Sequence, residues 1–149
     1  SGVVLQFIPE LPETRLSGAT RWISPEKALI AQSLRFRKDD HFWFTFFHEA
    51  AHVLLHGKRA VFIDEISMDA SEEEQQSDAF AANHLIPSKS YASLVQSGQP
   101  SRAAVIAFAN KLEIAPGIVV GRLQHDGVIP FSWLNDFKRT FVLAEDSTA

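Results

Sequence analysis

Residues 39–57 read DDHFWFTFFHEAAHVLLHG. Asp39 and Asp40 suit the start of a helix, where exposed backbone N–H groups carry partial positive charge. Gly57 suits its end, where a left-handed residue commonly closes the last turn. Between them Phe42, Trp43, Phe44, Phe46, Phe47, Ala50, Ala51, Val53, Leu54 and Leu55 surround most of the circumference. A helix that is apolar nearly all round is expected to be buried. His41, Thr45, His48, His52 and His56 nevertheless follow one another at spacings of 4, 3, 4 and 4, a single polar stripe along that helix. Polar groups in a core need partners or an aqueous cavity. The stripe therefore faces a site.

Within the stripe, His48-Glu49-Ala50-Ala51-His52 is an HExxH pattern. Residues four apart lie one turn apart on the same face, so both imidazoles can reach one metal ion. Glu49 is placed to hold a water molecule and take its proton. A catalytic zinc usually takes three protein ligands and leaves a fourth position open. The third ligand has to come from elsewhere, and Glu72, Glu73, Glu74 and Asp78 are the candidates downstream. Glu74 and Asp78 are again four apart, so one carboxylate can bind the ion while the other orients a ligating imidazole. This Glu-xxx-Asp arrangement resembles the gluzincin pattern of thermolysin-like peptidases. A competing reading makes Glu74 part of a capping box with Ser71. Glu72 and Glu73 are accounted for by the helix dipole alone.

His56 lies one turn beyond His52 and reads as a satisfied polar residue too far along the axis to ligate. His41 reads as solvent-facing and His84 as packing. Tyr91, Arg122 and His125 are the candidates for oxyanion or substrate contacts, and the sequence does not choose among them. A site of two histidines and a glutamate takes Zn²⁺ by default, with Mn²⁺ or Fe²⁺ as other occupants.

Working outward, three strands are expected before the histidine helix: Val3 to Ile8, Ala19 to Ile23 and Ala28 to Phe36. Val61 to Asp64 reads as a further short strand and 67–71 as a loop. Helices are expected over Glu72 to Ile86, Ser88 to Gln96, Ser101 to Leu112 and Pro116 to about Gln124, and a frayed tail over 144–149. Strands first and helices later argue for an α+β domain. Residues 1–100 form the expected core, 101–126 a helical hairpin packed on it, and 127–149 a C-terminal extension. The strand Ala28 to Phe36 is expected to present an edge on which an extended peptide adds.

The chain has 149 residues, 46% of them apolar and 21% charged, so it is long enough for a core and too apolar for wholesale disorder. No cysteine is present, which excludes disulfide scaffolds, thiolate metal sites and cysteine nucleophiles. A net charge of −4 argues against direct nucleic-acid binding by this chain. No apolar run is long enough to span a bilayer, and a soluble cytoplasmic domain without membrane contact is expected. Ser1-Gly2 reads as the scar of a cleaved tag, so a fragment of a longer protein is expected.

HFWFTFFHEAAHVLLHG together with EEEQQSDAFAANHLIP resembles the ImmA/IrrE family of bacterial zinc metallopeptidases. Glu74, then Asp78-Ala79-Phe80-Ala81-Ala82, then Leu85-Ile86-Pro87, match that family's second helix; Asp78 stands where the family commonly shows Asn. The resemblance covers roughly residues 20–125 and implies a zincin-like fold. Ser33-Leu34-Arg35 and the residues from Asp40 to Phe44 further resemble members fused behind an XRE-type helix-turn-helix domain, including HigA-like antitoxins. It implies as partner a protein substrate, a helix-turn-helix repressor cleaved in trans, or autoregulation through an attached N-terminal DNA-binding domain. The rival expectation is a regulator module that binds metal without turnover. Residues 101–124 echo a helix-turn-helix, but Pro116 to Leu123 offers only Arg122 as a basic side chain, so a packed hairpin is expected there.

Overall fold

The computed structural model describes residues 2–8, 18–33, 38–57 and 70–142. Among them the order is β1 (Gly2–Ile8), β2 (Gly18–Ser24), β3 (Lys27–Ser33), α1 (Asp39–Ala51), a π turn (His52–His56), α2 (Ala70–Leu85), α3 (Ser88–Val95), α4 (Arg102–Leu112), α5 (Pro116–His125) and a 3₁₀ turn (Asn135–Phe137). The class is α+β, with a small three-stranded sheet and five α-helices among the described residues, consistent with the zincin-like fold expected. The expected strand over 61–64, the end of the third strand at 34–36 and the tail over 144–149 lie outside the described residues. Of the expected loop over 67–71, Ala70 and Ser71 belong instead to α2. No single described helix is long and apolar enough to cross a membrane.

The sheet order is β1-β3-β2, with β1 parallel and β2 antiparallel to β3. Ile30 pairs with Leu5 on one side and Thr20 on the other. The expectation that the third strand offers an edge is therefore wrong: β3 is central, and β2 borders the site. Chain order placed a strand just before the histidine helix but could not say which strands flank it. Burial agrees, because Ala28, Ile30 and Gln32 alternate as buried residues along β3. Gln32 links sheet to helix by donating from Nε2 to the Phe42 carbonyl at 2.7 Å.

The histidine helix is less buried than its composition suggests. Its buried residues are Asp39, Asp40, Glu49 and Ala51, while Trp43, Leu54 and Leu55 are exposed. The aromatic rings pack largely on one another: Phe42 touches Phe7, Trp43 and Phe141 at centroid distances of 5.7, 5.3 and 4.8 Å. Gly57 closes the helix at φ 52° and ψ −151°, a positive-φ conformation that favours glycine but is not the αL cap expected of it.

The main core lies among the later helices, where Ile86, Val105, Ala109, Ile118, Val119, Val120, Leu123 and Ile129 are buried together. Helix α4 is capped by Ser101, whose hydroxyl accepts from the Ala104 amide at 3.1 Å. Helix α5 lies against α1 at two glycines one turn apart. A β-carbon on Gly117 would sit 2.5 Å from Asp39 Oδ1 and 2.9 Å from the Lys138 backbone, and one on Gly121 would strike the Asp40 carboxylate. Asp40 is paired with Lys138 Nζ at 2.9 Å, so α1's first turn is held by tertiary partners as well as by its dipole. In an exposed helix Gly→Ala would stabilise by about 1 kcal/mol. At Gly117 the overlap with backbone costs more, about 1–3 kcal/mol of overpacking on top of losing that gain. Gly117→Ala should therefore lower the urea midpoint; an unchanged or raised midpoint would mean that α5 does not lie this close to α1.

Candidate metal centre

Helices α1 and α2 pack side by side and bring the two halves of the sequence signature together. His48 Nε2 and His52 Nε2 are 3.2 Å apart, the i, i+4 spacing doing what it should on one helical face. The Glu74 carboxylate reaches across from α2, with Oε2 3.0 Å from His48 Nε2 and Oε1 3.2 Å from His52 Nε2. Donor atoms about 2.0–2.1 Å from a tetrahedral ion lie about 3.3–3.4 Å from one another, so these three need separate by only a few tenths of an ångström to hold one. Their chemistry fits as well: two neutral imidazoles and one carboxylate form a common donor set for a divalent ion. Glu74 spends its oxygens on the histidines, and α2 already begins at Ala70, so Ser71 stands inside the helix and not at its cap.

Asp78 lies one turn beyond Glu74, and its Oδ1 is 2.8 Å from His48 Nδ1. With the proton on Nδ1, His48 donates to this carboxylate and keeps the Nε2 lone pair directed at the centre. His52 has a different partner on its far side: His56 Nδ1 is 3.2 Å from His52 Nδ1, and His56 Nε2 is 3.1 Å from Gln76 Oε1. The sequence reading set His56 too far along the axis. In the structure the two rings meet at the same i, i+4 spacing that joins His48 and His52, and a π turn with an i→i+5 hydrogen bond, Gly57 N to His52 O at 3.0 Å, ends the helix there. His52, His56 and Glu73 thereby form a second group within ligating distance of one another.

Glu49 is buried beneath β2. Thr20 Oγ1 lies 2.6 Å from Glu49 Oε2, donating to it, and 3.2 Å from the Glu49 carbonyl oxygen. Gly18 makes the approach possible, since a β-carbon there would sit 2.9 Å from Glu49 Cγ and 3.0 Å from Thr45 Cγ2. Sequence reading missed Thr20. A threonine in an alternating strand carries no local signal, and its partner is 29 residues away. The cleft, of about 420 Å³, is lined by Gly18 to Trp22 of β2, by His48, Glu49, His52 and His56, and by Glu73 and Glu74.

Tyr91, Arg122 and His125 do not border that cleft. Arg122 and His125 line a neighbouring cavity of similar volume with Asp78, Phe44, Leu85 and Ile118. Tyr91 is buried with its ring under the Arg122 guanidinium, 4.5 Å from centroid to Cζ. Its hydroxyl makes no hydrogen bond of ordinary geometry, and burial, with Asp126 nearby, pushes its pKa up. His41 is exposed, and His84 lies against the rings of Phe47 and Phe80.

Arg122 Nε donates to Asp126 at 2.6 Å. Burial raises the Asp126 pKa, but hydrogen bonds from Arg122 and His125 together bring it below its usual 3.8. A depressed folded pKa gives stability that is present above the unfolded value and is lost as pH falls through the folded one. Asp126→Asn should therefore unfold at lower urea than wild type at neutral pH, with the gap closing below 3.8. A gap that persists in acid would assign the effect to packing.

A comparison with curated proteins finds no match. The Peptidase_M78 family model, described as IrrE N-terminal-like domain, matches residues 25–124, from the β2–β3 turn through all but the last residue of α5. That span covers two thirds of the chain and contains every side chain of the His48, His52 and Glu74 group, with Asp78 and Glu49. By this match the chain belongs to the IrrE N-terminal-like family of metallopeptidase-type domains.

Proposed function

We propose that this domain is a zinc-dependent endopeptidase, cytoplasmic in setting, that hydrolyses a peptide bond in a regulatory protein. The observation that carries the reading is the convergence of His48 Nε2, His52 Nε2 and Glu74 within 3.0–3.2 Å of one another, in the same cleft as Glu49. These three side chains would hold Zn²⁺, with Mn²⁺ or Fe²⁺ as other occupants. A divalent ion there supplies Lewis acidity, easing deprotonation of water and polarising a carbonyl.

The remaining work falls to the chain. Glu49 accepts a proton from the attacking water as its oxygen bonds to the carbonyl carbon. As the C–N bond breaks, Glu49 returns that proton to the leaving amine. Thr20 fixes the Glu49 carboxylate by donating to Oε2, and Asp78 fixes the His48 ring. The β2 edge beside the cleft supports an extended substrate through main-chain hydrogen bonds, the role first expected of β3. Arg122 and His125 line the neighbouring cavity and meet substrate side chains; Tyr91 holds Arg122 in place.

The substrate class follows from the family resemblance: a helix-turn-helix repressor, with an N-terminal DNA-binding domain as a further partner of the full-length protein. The test is incubation of the zinc-loaded chain with a proteome-derived peptide library, read by mass spectrometry, beside Glu49→Gln. New termini that vanish in the variant support the endopeptidase. Metal binding without new termini, and repressor binding unaffected by Glu49→Gln, would replace it with the non-catalytic regulator module.

A further inference from the structure

His52 is engaged through both ring nitrogens, and only Nε2 is used by the proposed centre. On the other side runs a chain of three polar groups: His52 Nδ1, His56 Nδ1 at 3.2 Å, then His56 Nε2 to Gln76 Oε1 at 3.1 Å. A neutral imidazole carries one N–H and one lone pair, so the protons along this chain are not independent. If His52 presents its Nε2 lone pair to an ion, its proton is on Nδ1 and points at His56 Nδ1. His56 Nδ1 must then be bare, which puts the His56 proton on Nε2. There the Gln76 carbonyl oxygen accepts it. Every proton has an acceptor, and the chain reads consistently in one direction only.

We propose that His56 and Gln76 are positioning residues for His52, fixing its tautomer and ring orientation so that Nε2 stays available to the metal. This rests on the metal-binding reading above. The two metal-facing imidazoles are thereby oriented by different chemistry. His48 donates to a carboxylate, Asp78, whereas His52 donates to a neutral imidazole that is itself anchored on α2 through Gln76. His56 reaches His52 because it lies four residues on, along the same helical face.

His52 and His56 could also be read as part of a second cation site beside the first, with Glu73 as the third donor. That would require His52 to surrender its Nδ1 proton while Nε2 holds the first ion, becoming an anionic bridge. The hydrogen-bonded chain needs no such loss and also accounts for Gln76, so the geometry favours positioning.

The experiment titrates Zn²⁺ into the metal-stripped full chain against a chromophoric chelator, for wild type, His56→Ala and His56→Asn. Positioning predicts one zinc per chain and about 10–100-fold weaker binding in His56→Ala. Binding should return toward wild type in His56→Asn, whose side-chain oxygen can accept the His52 proton. Imidazole ¹⁵N spectra of the zinc-loaded wild type should show the proton on Nδ1 of His52 and on Nε2 of His56, a signature that a purely structural role would not produce. Unchanged affinity in His56→Ala, or a His56 proton on Nδ1, overturns the proposal. So does a second zinc in wild type that disappears in His56→Ala, which would make His56 a ligand. A folded wild type that binds no zinc at all defeats the metal reading itself and this inference with it.

Discussion

Glu49→Gln is expected to lose peptide hydrolysis by about 10²–10⁴-fold, the range that a positioned general base contributes, while still binding one zinc per chain. The substitution keeps size and shape and removes only the capacity to take a proton. Glu49 is not one of the three converging donors, so the metal should remain. Its neighbours also tolerate the change, because Thr20 Oγ1, 2.6 Å from Oε2, can donate to an amide oxygen as it does to a carboxylate. The chain should therefore fold and load normally, and the loss should appear in turnover. Stopped cleavage with metal stoichiometry intact is the signature to look for. A variant that cleaves at the wild-type rate would remove Glu49 from the chemistry. One that loses metal would mean that the centre is assembled differently.

Glu74→Ala should have the largest effect on the metal. Wild type purified without chelators is expected to carry about one zinc per chain, as a set of three converging protein donors implies. Removing the carboxylate leaves two imidazoles 3.2 Å apart and no anion to balance the ion's charge. Binding should weaken by more than the roughly 10–100-fold expected when an orienting partner such as Asp78 is removed. Elemental mass spectrometry gives the stoichiometry, and thermal unfolding gives an independent reading. An ion that binds only the folded chain raises its stability by RT ln(1 + [L]/Kd), so a zinc-dependent rise in Tm should be present in wild type and nearly absent in Glu74→Ala. The side chain is largely exposed and its loss leaves no cavity, so the apo forms should unfold at similar temperatures. Zinc retained at full stoichiometry in the variant would move the third ligand to another residue. No zinc in either protein, even after it is added back, would end the endopeptidase mechanism.

Much of the local architecture was legible before any coordinates. Pro25, Gly57, Pro87, Ser101 and Pro116 punctuate the chain through backbone constraints that act over a few residues, and the observed elements begin and end close to them. The spacing of His48 and His52 required only helical periodicity. Glu74 and Asp78 fell on the same face of the next helix for the same reason, and the carboxylates that meet His48 across the helix interface are those two.

What eluded sequence reading involves partners distant in the chain. Among the described strands the order β1-β3-β2 gives β2, not β3, the edge beside the cleft, and no local pattern encodes which strand is central. Thr20 and Gly18 matter because β2 is laid against Glu49. The apolar circumference of α1 suggested full burial, yet its most buried side chains include Asp39 and Asp40, which sit against Gly117 and Gly121 of a helix far along the chain. The His52–His56 contact has the local i, i+4 spacing of His48 and His52, but its anchor, Gln76, lies 20 residues from His56.

The sequence by itself determined the candidate donors, their spacing and the helices that carry them, because helical periodicity and backbone stereochemistry are local and near-obligatory. Only the tertiary structure decided which edge faces the cleft, what holds Glu49 and what anchors His56, because those depend on contacts whose partners are brought together only when the chain packs.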